Sequence, residues 1–99
     1  MLTKEQILEK FNKDAEFFRR EYSVCKLGLF GSFVRGEANE QSDLDVLVEF
    51  TEPTFDHYMD LKFYLEKEFQ KEVDLVTVAA LKPLIKPYIE GEVVYAEKL

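Results

Sequence analysis

The run Gly31–Glu49, GSFVRGEANEQSDLDVLVE, constrains this chain more than any other part of it. It opens on a Gly-Ser step and, ten residues later, reaches Asp43-Leu44-Asp45. Asp43 to Phe50 reads as a strand, with Leu44, Val46 and Val48 on one face. Carboxylates at alternate strand positions point the same way, with Cα atoms roughly 6–7 Å apart. Both can then reach one divalent ion, or bracket two ions about 3.5–4 Å apart. Mg2+ suits such a place, because it takes a few carboxylates plus substrate phosphates rather than a closed protein cage. Without a cation the two charges repel, and one of them holds its proton more tightly. Gly31 has no side chain, so a phosphate can approach its backbone closely. Amides at a helix start attract anions, and Ser32 adds a hydroxyl donor. Arg35, one turn on, can neutralise a phosphate oxygen or brace the loop through a carboxylate. The run therefore predicts a metal-dependent phosphoryl or nucleotidyl transfer site.

The flanking segments supply a frame for it. Thr3 to about Glu21 reads as one helix: Thr3 and Gln6 make a capping box, and Ile7, Leu8, Phe11, Ala15 and Phe18 recur on one face. Val24 to Phe30 reads as a strand with Cys25, Leu27 and Leu29 on one side. Ser32 can cap a short helix that Gly36 ends, and Glu37 to Ser42 is loop-like. Thr51-Glu52-Pro53-Thr54 starts a helix to about Gln70, carrying Phe55, Tyr58, Leu61, Leu65 and Phe69. Glu72 to Val78 is a third strand. Ala79 to about Glu90 reads as a helix punctuated by Pro83 and Pro87 and ended by Gly91, and Val93 to Tyr95 is a short last strand. The alternation predicts an α/β (α+β) domain, a small mixed sheet of about four strands flanked by helices, in one unit over residues 1–99.

Composition narrows the class of partner. The 99 residues carry a formal net charge of −7, with Lys and Arg spread singly or in pairs. Nucleic acid is disfavoured as a main partner, since phosphates are repelled where no basic patch overrides the field. The single cysteine rules out an internal disulfide and fits a reducing cytosol. Neither a secretory leader nor an apolar run of membrane-spanning length is visible, so a soluble cytoplasmic protein is expected.

A third carboxylate is needed if an acceptor hydroxyl is to be activated. Asp74 is the candidate, mid-strand in Glu72-Val73-Asp74-Leu75-Val76 among β-formers, where a solvated charge is not expected. Beside the Asp43–Asp45 strand it completes an acidic cluster that can share a metal and serve as general base. Gly31-Ser32, ten residues, Asp43-Leu44-Asp45 and then Asp74 resemble the minimal nucleotidyltransferases of the polymerase-beta-like superfamily. Arg35-Gly36, Ser42 and the closing Glu90-Gly91-Glu92-Val93-Val94-Tyr95 extend the resemblance over nearly the whole chain. Val34, where Ala is common, is a small departure.

The resemblance implies a Mg2+-dependent transfer of AMP from ATP to a hydroxyl of a protein acceptor. It makes Asp43, Asp45 and Asp74 the catalytic and metal-holding residues, with two ions, and Gly31, Ser32 and Arg35 the nucleotide-binding ones. It further implies the antitoxin of a HEPN/MNT toxin–antitoxin pair, in a hetero-oligomer with a small helical HEPN-type toxin. Two alternatives stand beside it: a non-catalytic antitoxin that neutralises its partner by contact, and a small-molecule nucleotidyltransferase. Simpler roles suffice elsewhere. Ser42 reads as a turn residue, Lys82 and Lys86 as solvated helix lysines, Cys25 as core, and His57 as neither ligand nor acid–base group. Met59 and Phe63 widen the apolar arc of their helix, where Lys62 and Glu66 interrupt it; the arc reads most simply as core on one flank and amphipathic aromatics on the other, with a partner surface carried by Met59, Phe63 or Tyr64 as the alternative.

Overall fold

The computed structural model describes residues 1–99. Thr3 begins the first helix, α1 (Lys4–Lys13), through a reciprocal box: its hydroxyl oxygen accepts from the Gln6 N–H, and the Gln6 side chain accepts from the Thr3 N–H. The chain then forms α2 (Ala15–Tyr22), β1 (Val24–Phe30), α3 (Ser32–Arg35), β2 (Leu44–Phe50), α4 (Phe55–Phe69), β3 (Val73–Thr77), α5 (Lys86–Glu92) and β4 (Val94–Tyr95). The four strands make one mixed sheet in the order β3-β2-β1-β4, with β1 antiparallel to both β2 and β4, and β2 parallel to β3.

Alternation along the strands divides the sheet into two faces. Leu27 and Leu29 of β1, Leu44, Val46 and Val48 of β2, and Val73 and Leu75 of β3 face the helices. Ile7 and Phe11 of α1, Phe18 of α2, and Leu61 and Leu65 of α4 close over them, and all are essentially inaccessible to solvent. Each such burial is worth about 1.5–3 kcal/mol relative to exposure. The opposite face is thinner: Phe30, Leu47 and Leu81 form a small cluster under Ile89 and Val93. Asp45 alternates with Leu44 and Val46 and points to this second face, as does Asp74, its partner in β3.

Three expectations are corrected. The single helix over 3–21 is two helices that break at Asp14 (φ −99°, ψ 13°). No proline or glycine marks the break. Instead the Asp14 carboxylate accepts from Tyr64 Oη of α4 (2.7 Å) and pairs with Lys10 (3.0 Å), so a tertiary tie bends the chain. Cys25 is not core: the β1–β2 register shifts between Val24 and Lys26, and Val24 takes the buried place opposite Phe50. The Cys25 thiol, half-buried, donates to the Glu49 carbonyl. The helix over 79–90 is a 3-10 turn (Val78–Ala80), a prolyl turn, and then α5, which runs through Gly91 to Glu92. Pro83 disfavours helix at Lys82, and Pro87 is tolerated because it sits in the first turn of α5. No helix is long and apolar enough to cross a membrane.

Candidate active site

Register sets the site. Asp45 pairs with Phe30 on one side and with Asp74 on the other, so one row crosses β1, β2 and β3. Directly paired residues share a face, and adjacent strands lie about 4.8 Å apart, which brings the Asp45 and Asp74 carboxylates together on the thin face. Asp43 precedes β2 at the rim and is exposed, as is Asp74, whereas Asp45 is half-buried. Burial first, then the charges of Asp74 and Asp43, push the Asp45 carboxyl above its ordinary value, and Arg35 partly relieves it.

The Gly-Ser step meets the Asp pair physically. Gly31 adopts φ +79°, and a Cβ built on it would lie 2.0 Å from Asp45 Oδ2. The glycine is therefore required by the carboxylate packed against its Cα as well as by its backbone angle. Its carbonyl accepts from the Val34 and Arg35 amides and starts α3, and Gly36 ends that helix in the left-handed region. Ser32 is the first residue of α3, and Arg35 the last.

Two clefts meet at Asp45. The first, of about 440 Å³, gathers Asp43, Asp45, Asp74, Glu66 and Glu72 around one cation, Lys62. Its walls are braced. Lys62 Nζ donates to the Val73 carbonyl (2.8 Å) and to Glu66 (2.9 Å), while Glu66 accepts from the Val73 N–H (3.1 Å). These bonds pin the residue before Asp74. On the other flank Lys71 Nζ donates to the carbonyls of Glu40 and Ser42, and the Ser42 hydroxyl oxygen accepts from the Asn39 N–H. The loop that delivers Asp43 is thereby fixed, and Ser42 is the turn residue expected of it. The all-oxygen donor set suits a hard cation such as Mg2+. No three acidic, His or Cys side chains converge closely enough to close a metal cluster by themselves.

The second cleft, of about 500 Å³, runs from Asp45 past Gly31 and Arg35 to Ile85, Tyr88 and Glu92 of the α5 region. Here Arg35 is an ion-paired residue: Nε donates to Glu37 (2.7 Å) and Nη1 to Glu92 Oε1 (2.9 Å). The Gly31 N–H donates to Glu92 Oε2 (2.8 Å).

Gly31, Arg35, Asp43, Asp45 and Asp74 thus line the two clefts that meet at Asp45, whereas Ser32, next to Gly31 at the start of α3, lines neither. The sequence reading missed Lys62, Glu66, Lys71 and Glu92. Lys62 and Glu66 had a signal, since they interrupt an apolar helix arc four residues apart; Lys71 and Glu92 act at long range and had none. The proposed partner surface is reduced. Tyr64 packs on Phe17, Phe18 and Tyr22 and bonds Asp14, while Phe63 remains 57% exposed. His57 Nδ1 rests on the Glu52 carbonyl, away from the site.

Comparison with known proteins agrees with this geometry. The family model described as the nucleotidyltransferase domain matches residues 8–96. The protein adenylyltransferase MntA of Thermococcus cleftensis is 42% identical over 96 residues, covering 96% of this chain and 97% of that protein. A solved structure provisionally described as a minimal nucleotidyltransferase superposes with a TM-score of 0.75 at 31% identity, covering 90% of this chain and 92% of its own. A chain from the complex of a tri-AMPylated Shewanella oneidensis HEPN toxin with its MNT antitoxin superposes at 0.63. That likeness, at 15% identity over 93% of this chain and 73% of the other, concerns the fold alone.

Proposed function

The chain belongs to the nucleotidyltransferase domain family, matched over residues 8–96, and from that membership we propose that it transfers AMP from ATP to a hydroxyl of a protein acceptor. One observation carries the reading. Asp45 is paired with Asp74 across the parallel β2–β3 ladder and packed against Gly31, which sets the two carboxylates beside the glycine turn that opens α3. The MntA relative named as a protein adenylyltransferase supports the choice of a protein acceptor.

In this reading Asp43 and Asp45, with Asp74 on the acceptor side, would hold two Mg2+ ions. Bound there, Mg2+ would offset negative charge at the α-phosphorus and on the leaving oxygen. The Gly31 N–H, the Ser32 hydroxyl and the Arg35 guanidinium hold the β- and γ-phosphates. The acceptor oxygen forms a bond to the α-phosphorus as the bond from that phosphorus to the bridging oxygen breaks. The electron pair leaves with pyrophosphate, and the hydroxyl proton passes to Asp74. Lys62, Glu66 and Lys71 keep the three aspartates in place, so that little reorganisation is needed as charge develops.

The biological role that fits is the antitoxin of a HEPN/MNT pair in the cytoplasm, in a hetero-oligomer with its helical toxin. That role extends the protein-acceptor reading drawn from the MntA relative, and the fold shared with the MNT antitoxin chain is compatible with it. The test is mass spectrometry of a candidate HEPN-type partner, after incubation with the protein, ATP and Mg2+. A gain of one or more AMP units, lost in Asp43→Asn and on chelation of the metal, is expected. Tight complex formation without modification by any of the four nucleotides would sink the catalytic reading and leave neutralisation by contact.

A further inference from the structure

The cradle assigned to the β- and γ-phosphates already holds an anion, and that anion belongs to the chain. Glu92, the last residue of α5, spends both carboxylate oxygens there: Oε2 accepts from the Gly31 N–H at 2.8 Å, and Oε1 from Arg35 Nη1 at 2.9 Å. Two oxygens of one carboxylate stand where two oxygens of a phosphate would. The hydrogen bonds from Arg35 and Gly31 hold the Glu92 carboxyl below its ordinary value, so it is an anion at neutral pH. The Gly31 amide has one hydrogen to donate, and a phosphate can take it only when Glu92 has left.

The element that carries Glu92 is built to yield. None of the residues of α5 is buried, and it makes no extensive contact with any other element. Ile89 is the one residue of α5 that touches the small cluster of Phe30, Leu47 and Leu81; Val93, just past its end, also packs there and leads into β4, so the anchor lies at the C-terminal end of the segment. The turn before it carries Pro83, and Leu84 of that turn and Tyr88 of α5 are at least 80% exposed. Moving such a segment forfeits little buried area, whereas the aspartates sit on a hydrogen-bonded ladder.

We infer that Glu92 is a built-in competitor for the nucleotide. Its carboxylate holds the cradle closed in the free protein, and the triphosphate displaces it, carrying the last turn of α5 away from Gly31. Glu92 then discriminates among ligands. A nucleoside without phosphates does not need the cradle and is indifferent to Glu92, whereas a polyphosphate must overcome it. Departure of pyrophosphate lets the carboxylate return.

This inference rests on the adenylyl-transfer reading for the identity of the displacing ligand. The test compares wild type, Glu92→Gln and Glu92→Ala in the full chain, by calorimetry with Mg·ATP, inorganic tripolyphosphate and adenosine. Removing a partly exposed charged competitor should tighten ATP and tripolyphosphate by about three- to tenfold in both variants and leave adenosine unchanged. In the transfer assay the KM for ATP should fall while kcat stays within about twofold. Amide exchange at Glu90–Val93 should quicken when ATP binds wild type. Unchanged or weaker polyphosphate binding in folded variants would overturn the inference, and would make Glu92 a brace that orients Arg35. If wild type still adenylylates its acceptor in that case, the proposed function stands and only the competitor fails. If wild type binds no nucleotide at all, both fall.

Discussion

The two walls that flank Asp45 are built on opposite terms. The wall toward β3 is stiff: Asp74 lies in a parallel ladder, Lys62 and Glu66 clamp Val73, and Lys71 fastens the loop before Asp43. The wall toward α5 is loose: it buries no residue and reaches the site through the Glu92 carboxylate. Groups that must keep a geometry to within tenths of an ångström sit on the first. The group that must give way to a ligand sits on the second. A domain of this size has little core to spare, and it has placed that core under the residues whose positions matter.

The contrast can be broken in several places. The largest effect is expected from Asp45→Asn. Transfer should fall by at least about 10²- to 10³-fold, since a group that stabilises developing charge is lost. The melting temperature without metal should hold or rise, because burial and two neighbouring carboxylates disfavour a charge at Asp45. A clear loss of thermal stability in Asp45→Asn would mean that the acidic wall is not strained. Next is Gly31→Ala. The positive φ alone costs about 1–3 kcal/mol for a residue with a Cβ, and the added carbon would collide with the Asp45 carboxylate. Chemical denaturation should show that loss together with near-complete loss of transfer. A tolerated alanine would show that the Gly31–Asp45 contact is dispensable.

Smaller effects sharpen the assignment of stiffness. Lys62→Met removes the donor to Val73 without touching any proposed ligand. We expect transfer to slow by about ten- to a hundredfold, as for groups that only orient others, with stability down by about 1 kcal/mol. Equal losses in kcat and in binding of tripolyphosphate would speak against a purely positioning role. The mildest effect concerns pH. The bonds from Lys62 and from the Val73 N–H hold the Glu66 carboxyl below its ordinary value. The folded protein therefore binds fewer protons at this group than the unfolded chain. Its contribution is present above the unfolded carboxyl pKa, about 4.3, and is lost as pH falls through the lower folded value. Melts from pH 6 down to pH 3 should show wild type more stable than Glu66→Gln at the upper end, with the difference closing at the lower. A constant difference across the range would rule the linkage out.

Much of this was legible from residue order, because it depends on short-range pattern. Strand alternation around Leu44, Val46 and Val48, the capping box at Thr3, and the Gly31 to Asp45 spacing all depend on neighbours along the chain. Residue order put Asp74 in mid-strand and left its joining Asp45 conditional on the two strands being neighbours, which the parallel ladder makes them. What escaped depends on residues far apart. The bend at Asp14 needs Tyr64, fifty residues on. The bulge at Cys25 is visible only against the register of β2. Arg35 read equally well as a phosphate ligand or as half of an ion pair, and Glu92, which makes it the latter in the free protein, lies 57 residues away. Local periodicity carries no trace of such pairings, and the segment around Pro83 and Pro87 has too little apolar pattern to fix its own shape.

The braces on Val73 have a second effect. β3 is the edge of the sheet, and only β2 pairs with it. An open strand edge invites another chain to add to it. Here the Val73 carbonyl is taken by Lys62, its amide by Glu66, and the Leu75 carbonyl by the Tyr58 hydroxyl. Three side chains of α4 thus occupy the backbone groups that a stray strand would need. Asp74 can face solvent from a border strand, within reach of a large visitor, while the stretch of that border beside it is already occupied.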